Sequence, residues 1–278
     1  MRPEPGLNAP AGTHQRPTHS APGMKRSMKT RPLIACIALF GALVAPCTLA
    51  QPLELATFDY PPYMVDGNGG HKGMAIDIVN AVFKHMQLNT HLQFFPAQRA
   101  MMMEIGKVDA IFTIKKTNER EAILYFPREP LFTQDFVIFV HKDSTLKFTG
   151  DLASLNQVSI GIVNNASYGP RFDAAVAKGT FPRLELANDF EQNFRKLLAH
   201  RMEAVVSSRA VGIAMLRKLR ALDQVKVSGP SVEELPSYLA FRRTPVNSTL
   251  SKRFDESMRI MKEDGSLAKI LKRYGPLG

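Results

Sequence analysis

Ala75, Ile78, Val79, Val82, Phe83 and Met86 recur at three- and four-residue intervals. One face of Met74 to Met86 is therefore apolar, which predicts an amphipathic helix. Short apolar runs flank it: Leu53 to Phe58 before and Leu92 to Phe95 after, both read as strands. Gln98 to Ile105, stopped by Gly106, is expected to be a second helix, and Val108 to Ile114 a third strand. Such alternation is the signature of a parallel sheet with covering helices. After the first strand comes Asp59-Tyr60-Pro61-Pro62-Tyr63. Its prolines lack the N–H a ladder needs and force an extended or turn backbone there.

The pattern restarts beyond Phe136 to His141, a β-prone run closed by Lys142-Asp143-Ser144. Strands are expected over Ser159–Val163, Leu184–Leu186, Ala204–Ser207 and Val225–Val227. Helices alternate with them over Tyr168–Ala177, Phe190–His200 and Ala210–Leu219. The chain is then expected to turn at Gly229-Pro230 and cross back in a strand over Tyr238–Phe241. Two helices finish it. Leu250, Phe254, Met258 and Met261 line the first, Gly265 breaks the pattern, and Leu267 to Tyr274 form the second. Two βα units of similar size joined by short crossings predict an α/β fold of two lobes with a hinge and an interlobe cleft. Lobe 1 would take residues 51–140 and 238–278, and lobe 2 residues 141–237. Ligands of open α/β sheets sit beyond the carboxyl ends of the strands. Two lobes facing each other turn those ends into a cleft that closes by hinge motion.

Residues 1–50 stand outside this pattern. Lys25, Arg26, Lys29 and Arg31 form a basic stretch, an apolar run follows from Leu33 to Ala45, and Thr48-Leu49-Ala50 offers a small-residue cut site. These are the parts of a secretory signal peptide, with cleavage expected after Ala50 and the product in the periplasm. The apolar run falls short of the roughly 20 residues of a spanning helix. Lipid attachment at Cys47 is the competing fate, which Pro46 suits poorly. Upstream, Met1 to Gly23 are rich in Pro, Gly, His and Arg, and translation from Met24 or Met28 stays open.

Removing that leader changes the composition. Both cysteines, Cys36 and Cys47, go with it, leaving a chain without disulfide or thiol chemistry. Of the formal +11, Arg2, Arg16, Lys25, Arg26, Lys29 and Arg31 against Glu4 account for +5, so about +6 remains. No basic run with interleaved aromatics suggests a nucleic-acid partner. His71, His85, His91, His141 and His200 show no paired metal spacing, Ser167 lacks a nucleophile-elbow context, and no acid–base pair can be named. The expectation is a binder, not an enzyme, with no metal or organic cofactor.

An ordered set of motifs carries more. Tyr60-Pro61-Pro62-Tyr63 and Gly73-Met74-Ala75-Ile76-Asp77-Ile78 come first, then Gly106-Lys107-Val108-Asp109-Ala110, Thr117-Asn118-Glu119-Arg120 and Tyr125-Phe126-Pro127. Ser159-Ile160-Gly161-Ile162-Val163, Ala166-Ser167-Tyr168-Gly169 and Arg201-Met202-Glu203-Ala204-Val205-Val206 follow. The series resembles family 3 of the periplasmic solute-binding proteins, the polar-amino-acid type, and spans nearly all of the chain after the leader. The resemblance implies a two-lobed protein that delivers its ligand to an ABC-type importer. The alternatives are a ligand-presenting sensory accessory protein or, on the same fold, a dehydratase-type periplasmic enzyme. A membrane permease or receptor would be the partner, and a monomer is the default.

The resemblance also implies that Arg120 grips a ligand carboxylate, a role its planar, bidentate guanidinium suits. The alternative is a surface arginine paired with Glu119 or Glu121. The turn Asn164-Asn165-Ala166-Ser167, before the helix expected at Tyr168, would form a second carboxylate seat through Asn165, Ala166 and Ser167, since helix N-termini attract anions; Ser167 is equally readable as an N-cap. Tyr60 and Tyr63 are expected to line the cleft with aromatic walls. Thr113 and Lys115, at the end of the third strand, join them, as do Arg99 and Arg209. Two departures bear on the ligand. The loop between Asp109 and Arg120 is one residue shorter than in close amino-acid binders, with Lys115 and Lys116 where a small hydroxyl residue is usual. Ser208 stands where the acid that receives an α-ammonium is expected. A buried ammonium without an anion is costly. Either the ligand lacks that group or another acid such as Asp59 supplies the charge. The resulting expectation is an anionic ligand, a di-acid or carboxylated metabolite.

Overall fold

The computed structural model describes residues 51–67, 70–101 and 108–275. The expected signal segment in 1–50 lies outside them, as do Ile105, Gly106 and Lys107. β1 (Leu53–Thr57), α1 (Met74–His85), β2 (Thr90–Phe94), α2 (Ala97–Met101) and β3 (Ala110–Ile114) follow one another as the alternation predicts. α3 (Asn118–Ile123) and β4 (Leu124–Tyr125) come next and were not anticipated. α3 carries no apolar stripe to announce it: its buried residue is Arg120, and it is started by Thr117, whose Oγ1 accepts the Arg120 N–H at 3.3 Å.

β5 (Phe132–His141) begins well before the apolar run from Phe136, because Gln134 and Asp135 interrupt the hydrophobic pattern but not the ladder. A 3-10 turn at Leu152–Leu155 leads to β6 (Ile160–Val163), α4 (Pro170–Ala177), β7 (Leu184–Ala187), α5 (Phe190–Leu198), β8 (Ala204–Ser208) and α6 (Arg209–Lys218). β9 (Val225–Arg242), α7 (Pro245–Glu263) and α8 (Ser266–Tyr274) complete the chain.

β9 corrects one expectation. Val225–Val227 and Tyr238–Phe241 belong to a single strand, and Gly229-Pro230 is a bulge inside it, not a turn between two. Between the pairs Phe136↔Glu233 and Ile138↔Ser228, β5 advances by Val137 alone, whereas β9 spends Gly229, Pro230, Ser231 and Val232. A bulge tolerates a proline because the looped residues owe no ladder hydrogen bond. Gly229 takes φ +72°, which glycine adopts without steric penalty.

The strand order is β2-β1-β3-β9-β5-β8-β6-β7, with β4 also on β9. β1 runs parallel to β2 and β3, and β6 parallel to β7 and β8. The antiparallel pair β9/β5 joins these two wings of the sheet. The expected lobe boundaries at 140/141 and 237/238 fall within β5 and β9.

Helices cover both faces, so the central strands are buried on both sides. Phe136, Ile138 and Val140 of β5 point into one cluster with Leu155, Tyr168, Phe172 and Phe181. Val137 and Phe139 point into the other, which runs from α1 and α7 across the sheet to α5 and α6. Phe83, Phe241 and Phe254 tie α1, β9 and α7 together, with ring centroids 5.7 to 6.3 Å apart.

Candidate functional site

At the carboxyl end of β3, where the wings meet, the structure holds a cavity of about 30 Å³. Phe58, Tyr60, Thr113, Lys115, Arg120 and Phe190 line it, with Ala166, Ser167 and Tyr168 on the side of the second wing. A larger open groove of about 610 Å³ adjoins it, lined by Asp59, Phe95, Asp189, Phe190, Glu191 and Lys218. Charge, strain and unused hydrogen-bonding capacity converge on the smaller space.

Arg120 is 9% exposed. Its Nη1 donates to the Lys115 carbonyl at 2.9 Å, and its Nη2 reaches across the wings to the Asn165 carbonyl at 3.2 Å. Burial lowers its pKa, while the charges of Asp173 and Glu119 raise it from a distance. Lys115 is 7% exposed. Its Nζ donates to Ser237 Oγ at 2.6 Å and to the Leu235 carbonyl at 3.4 Å, and lies 5.0 Å from the centre of the Phe136 ring. Burial holds its pKa well below the ordinary lysine range, and the neighbouring Arg120 charge adds to the effect. Each cation is held by neutral oxygens. Among the described residues neither forms an ion pair with a carboxylate.

Thr113 carries the backbone strain. It has φ +64°, and it is the extra residue of a β3 bulge, since Phe112 and Ile114 oppose the adjacent Leu239 and Tyr238. A β-branched residue in that region is an outlier, and such strain gathers at functional sites. The same residue is 4% exposed, and its Oγ1 makes no hydrogen bond among the described residues.

Tyr60 packs 4.6 Å from Phe190 and 5.5 Å from Phe58, ring centroid to centroid. Its hydroxyl donates to Gln134 Oε1 at 3.1 Å, and Gln134 Nε2 donates to Ser237 Oγ at 2.5 Å. Ser237 therefore accepts from both Gln134 and Lys115, which links the cavity to β5 and β9. Tyr63 stacks on Phe132 at 4.5 Å, one layer behind Tyr60. Burial raises the pKa of its hydroxyl, and an approach to Ser208 pulls it back. Neither Tyr63 nor Ser208 lines the cavity, and the buried Ser208 Oγ makes no hydrogen bond among the described residues.

On the second wing, α4 starts later than expected, at Pro170, with Gly169 as its N-cap. Ser167 is therefore not the cap. Its hydroxyl donates to Asp173 Oδ2 at 2.5 Å, while Asp173 Oδ1 accepts the Tyr168 N–H at 2.9 Å. The Ala166 N–H is taken by the Val163 carbonyl at 3.2 Å, and Asn165, at φ +60°, presents its carbonyl to Arg120.

Arg99 and Arg209 also lie outside the cavity lining. Arg99 is exposed, with its guanidinium 5.6 Å from the Phe95 ring centre. Arg209 is paired with Asp135 at 2.7 Å. Asp59 is exposed on the adjoining groove, where it accepts the Asp66 N–H. Gln134, Ser237 and Phe190 were not anticipated. Gln134 had a signal, being a polar residue that interrupts an apolar strand at a buried position; Phe190 had none, because its helical spacing reads as core.

Residues 55–276 match the family described as bacterial extracellular solute-binding proteins, family 3. The chain belongs to that family. Solved structures agree in fold. A histidine kinase sensor domain with similarity to periplasmic binding proteins superposes with TM-score 0.71 at 19% identity, covering 82% of this chain and 97% of its own. An ancestral arginine-binding protein bound to arginine gives 0.68 at 22% identity, covering 81% and 98%. The substrate binding protein of an amino acid ABC transporter gives 0.64 at 20% identity, covering 81% and 98%. At these identities the likeness establishes the fold alone, a mixed α/β fold of the periplasmic-binding-protein type. Among curated proteins the comparison found no significant match.

Proposed function

We propose that this family 3 protein is exported to the periplasm, captures a small carboxylate-bearing molecule at Arg120, and delivers it to an ABC-type importer. Lobe 1 (51–140 with 238–278) and lobe 2 (141–237) would close on the ligand about β5 and β9. One observation carries the reading: the Arg120 guanidinium is buried at a cavity between the wings and, among the described residues, bonded only to carbonyl oxygens. A buried unpaired cation is costly, and a carboxylate offers charge-assisted hydrogen bonds worth about 1.5–3 kcal/mol. Such a binder returns its ligand unchanged.

A thermal-shift panel of organic acids and amino acids tests the reading. Stabilisation by a carboxylate is expected, about 2.7 kcal/mol at 100 times Kd, and Arg120→Met should abolish it. If no carboxylate stabilises the protein, or Arg120→Met responds as the wild type does, the reading is wrong. A sensory role is the second reading, favoured by the likeness to a histidine kinase sensor domain. Capture of a permease or of a sensor kinase by the liganded protein separates the two.

A further inference from the structure

We infer that the ligand is a compact dicarboxylate without an α-ammonium group, held between Arg120 and Lys115. The inference rests on the capture role proposed above and goes on to the ligand's charge.

Among the described residues, two cations and no carboxylate line the cavity. The acids around it are engaged or turned away. Asp173 is held by the Ser167 hydroxyl and the Tyr168 N–H, Asp135 by Arg209 and Ser231, and Glu119 sits on the exposed side of α3. An α-ammonium placed here meets two like charges without a counter-ion, which is strongly unfavourable in a desolvated site. The aromatic alternative is limited too, since Tyr60 packs closely against Phe190 and its hydroxyl is committed to Gln134. A second carboxylate meets the reverse situation. Among the described residues the Lys115 ammonium has only neutral acceptors, and the buried Thr113 hydroxyl beside it has an unused proton. A space of about 30 Å³ holds about one water, so a ligand enters only as the wings part, and Phe190 packed 4.6 Å from Tyr60 favours a short carbon chain.

Calorimetric titration of the full-length mature protein with succinate, aspartate and butyrate isolates each charge, because the three share a four-carbon skeleton. Succinate is expected to bind at least ten-fold tighter than aspartate and ten-fold tighter than butyrate. Lys115→Met, or Lys115→Gln should the first variant fold poorly, should reduce succinate to the level of butyrate, with a much smaller loss for butyrate itself. Aspartate binding as tightly as succinate overturns the inference while leaving carboxylate capture standing. So does an equal loss of succinate and butyrate binding in the Lys115 variants, or sulfate matching succinate. If none of the carboxylates in the wider panel binds, both readings fall together.

Discussion

A lysine ammonium enclosed by a serine, a carbonyl and a phenyl ring makes folding depend on pH. The ordinary pKa of Lys115 is 10.5, and in the folded protein burial lowers it. Below 10.5 the unfolded chain therefore binds a proton that the folded chain holds less tightly. Stability rises with pH wherever the unfolded state binds more protons, by at most about 1.4 kcal/mol per pH unit for one group. The destabilisation is fully present below the folded pKa and fades as pH climbs towards 10.5. Urea unfolding of ligand-free protein between pH 7 and 10 should show the wild type gaining stability relative to Lys115→Met. The comparison cancels the buried tyrosines, which titrate alike in both. A pH-independent difference would mean that Lys115 keeps its ordinary affinity for protons. Residue type and motif made Arg120 and Lys115 legible in the sequence. The strain at Thr113 was not, because a positive φ at a threonine is imposed by the bulge against β9 and leaves no trace in residue order.

Among the elements, those with an apolar stripe were legible to within a residue or two: α1, α5 and α6 bury one face each, and the sequence spacing repeats that face. β9 was not, because its bulge contains the Gly-Pro pair that elsewhere ends a strand. That bulge admits a direct test. A Cβ at Gly229 would stand 1.8 Å from the Phe148 carbonyl oxygen at φ +72°, whereas at Gly179, φ +70°, it would meet nothing within 4 Å. Both substitutions to alanine carry a left-handed penalty of about 1–2 kcal/mol. Gly229→Ala must also displace the Phe148 backbone, so its urea midpoint should fall clearly further than that of Gly179→Ala. Equal midpoints would show that the strand can shed its bulge without loss. The outcome matters for the site, since β9 supplies Ser237 and the Leu235 carbonyl to Lys115.

For the whole molecule, the order of short motifs conveyed the fold, but not how the wings meet. Phe190 opens α5 on the second wing, yet its ring packs against Tyr60 and Phe58 of the first, and one apolar cluster thereby spans both. With the Arg120–Asn165 bond, it holds the wings together in the arrangement described here. An aromatic pair is worth about 0.5–1.5 kcal/mol beyond its buried area, which changes an open-to-closed ratio by roughly two- to twelve-fold. Phe190→Ala should therefore raise the radius of gyration of the ligand-free protein in X-ray scattering and weaken carboxylate binding by up to that factor, in proportion to the closed fraction lost. Saturating ligand should return the scattering curve to that of the wild type, because binding energy replaces the lost contact. A variant with unchanged scattering but weaker binding would make Phe190 a wall of the cavity alone. Unchanged scattering and unchanged affinity would remove it from both roles, leaving closure to the Arg120–Asn165 bond.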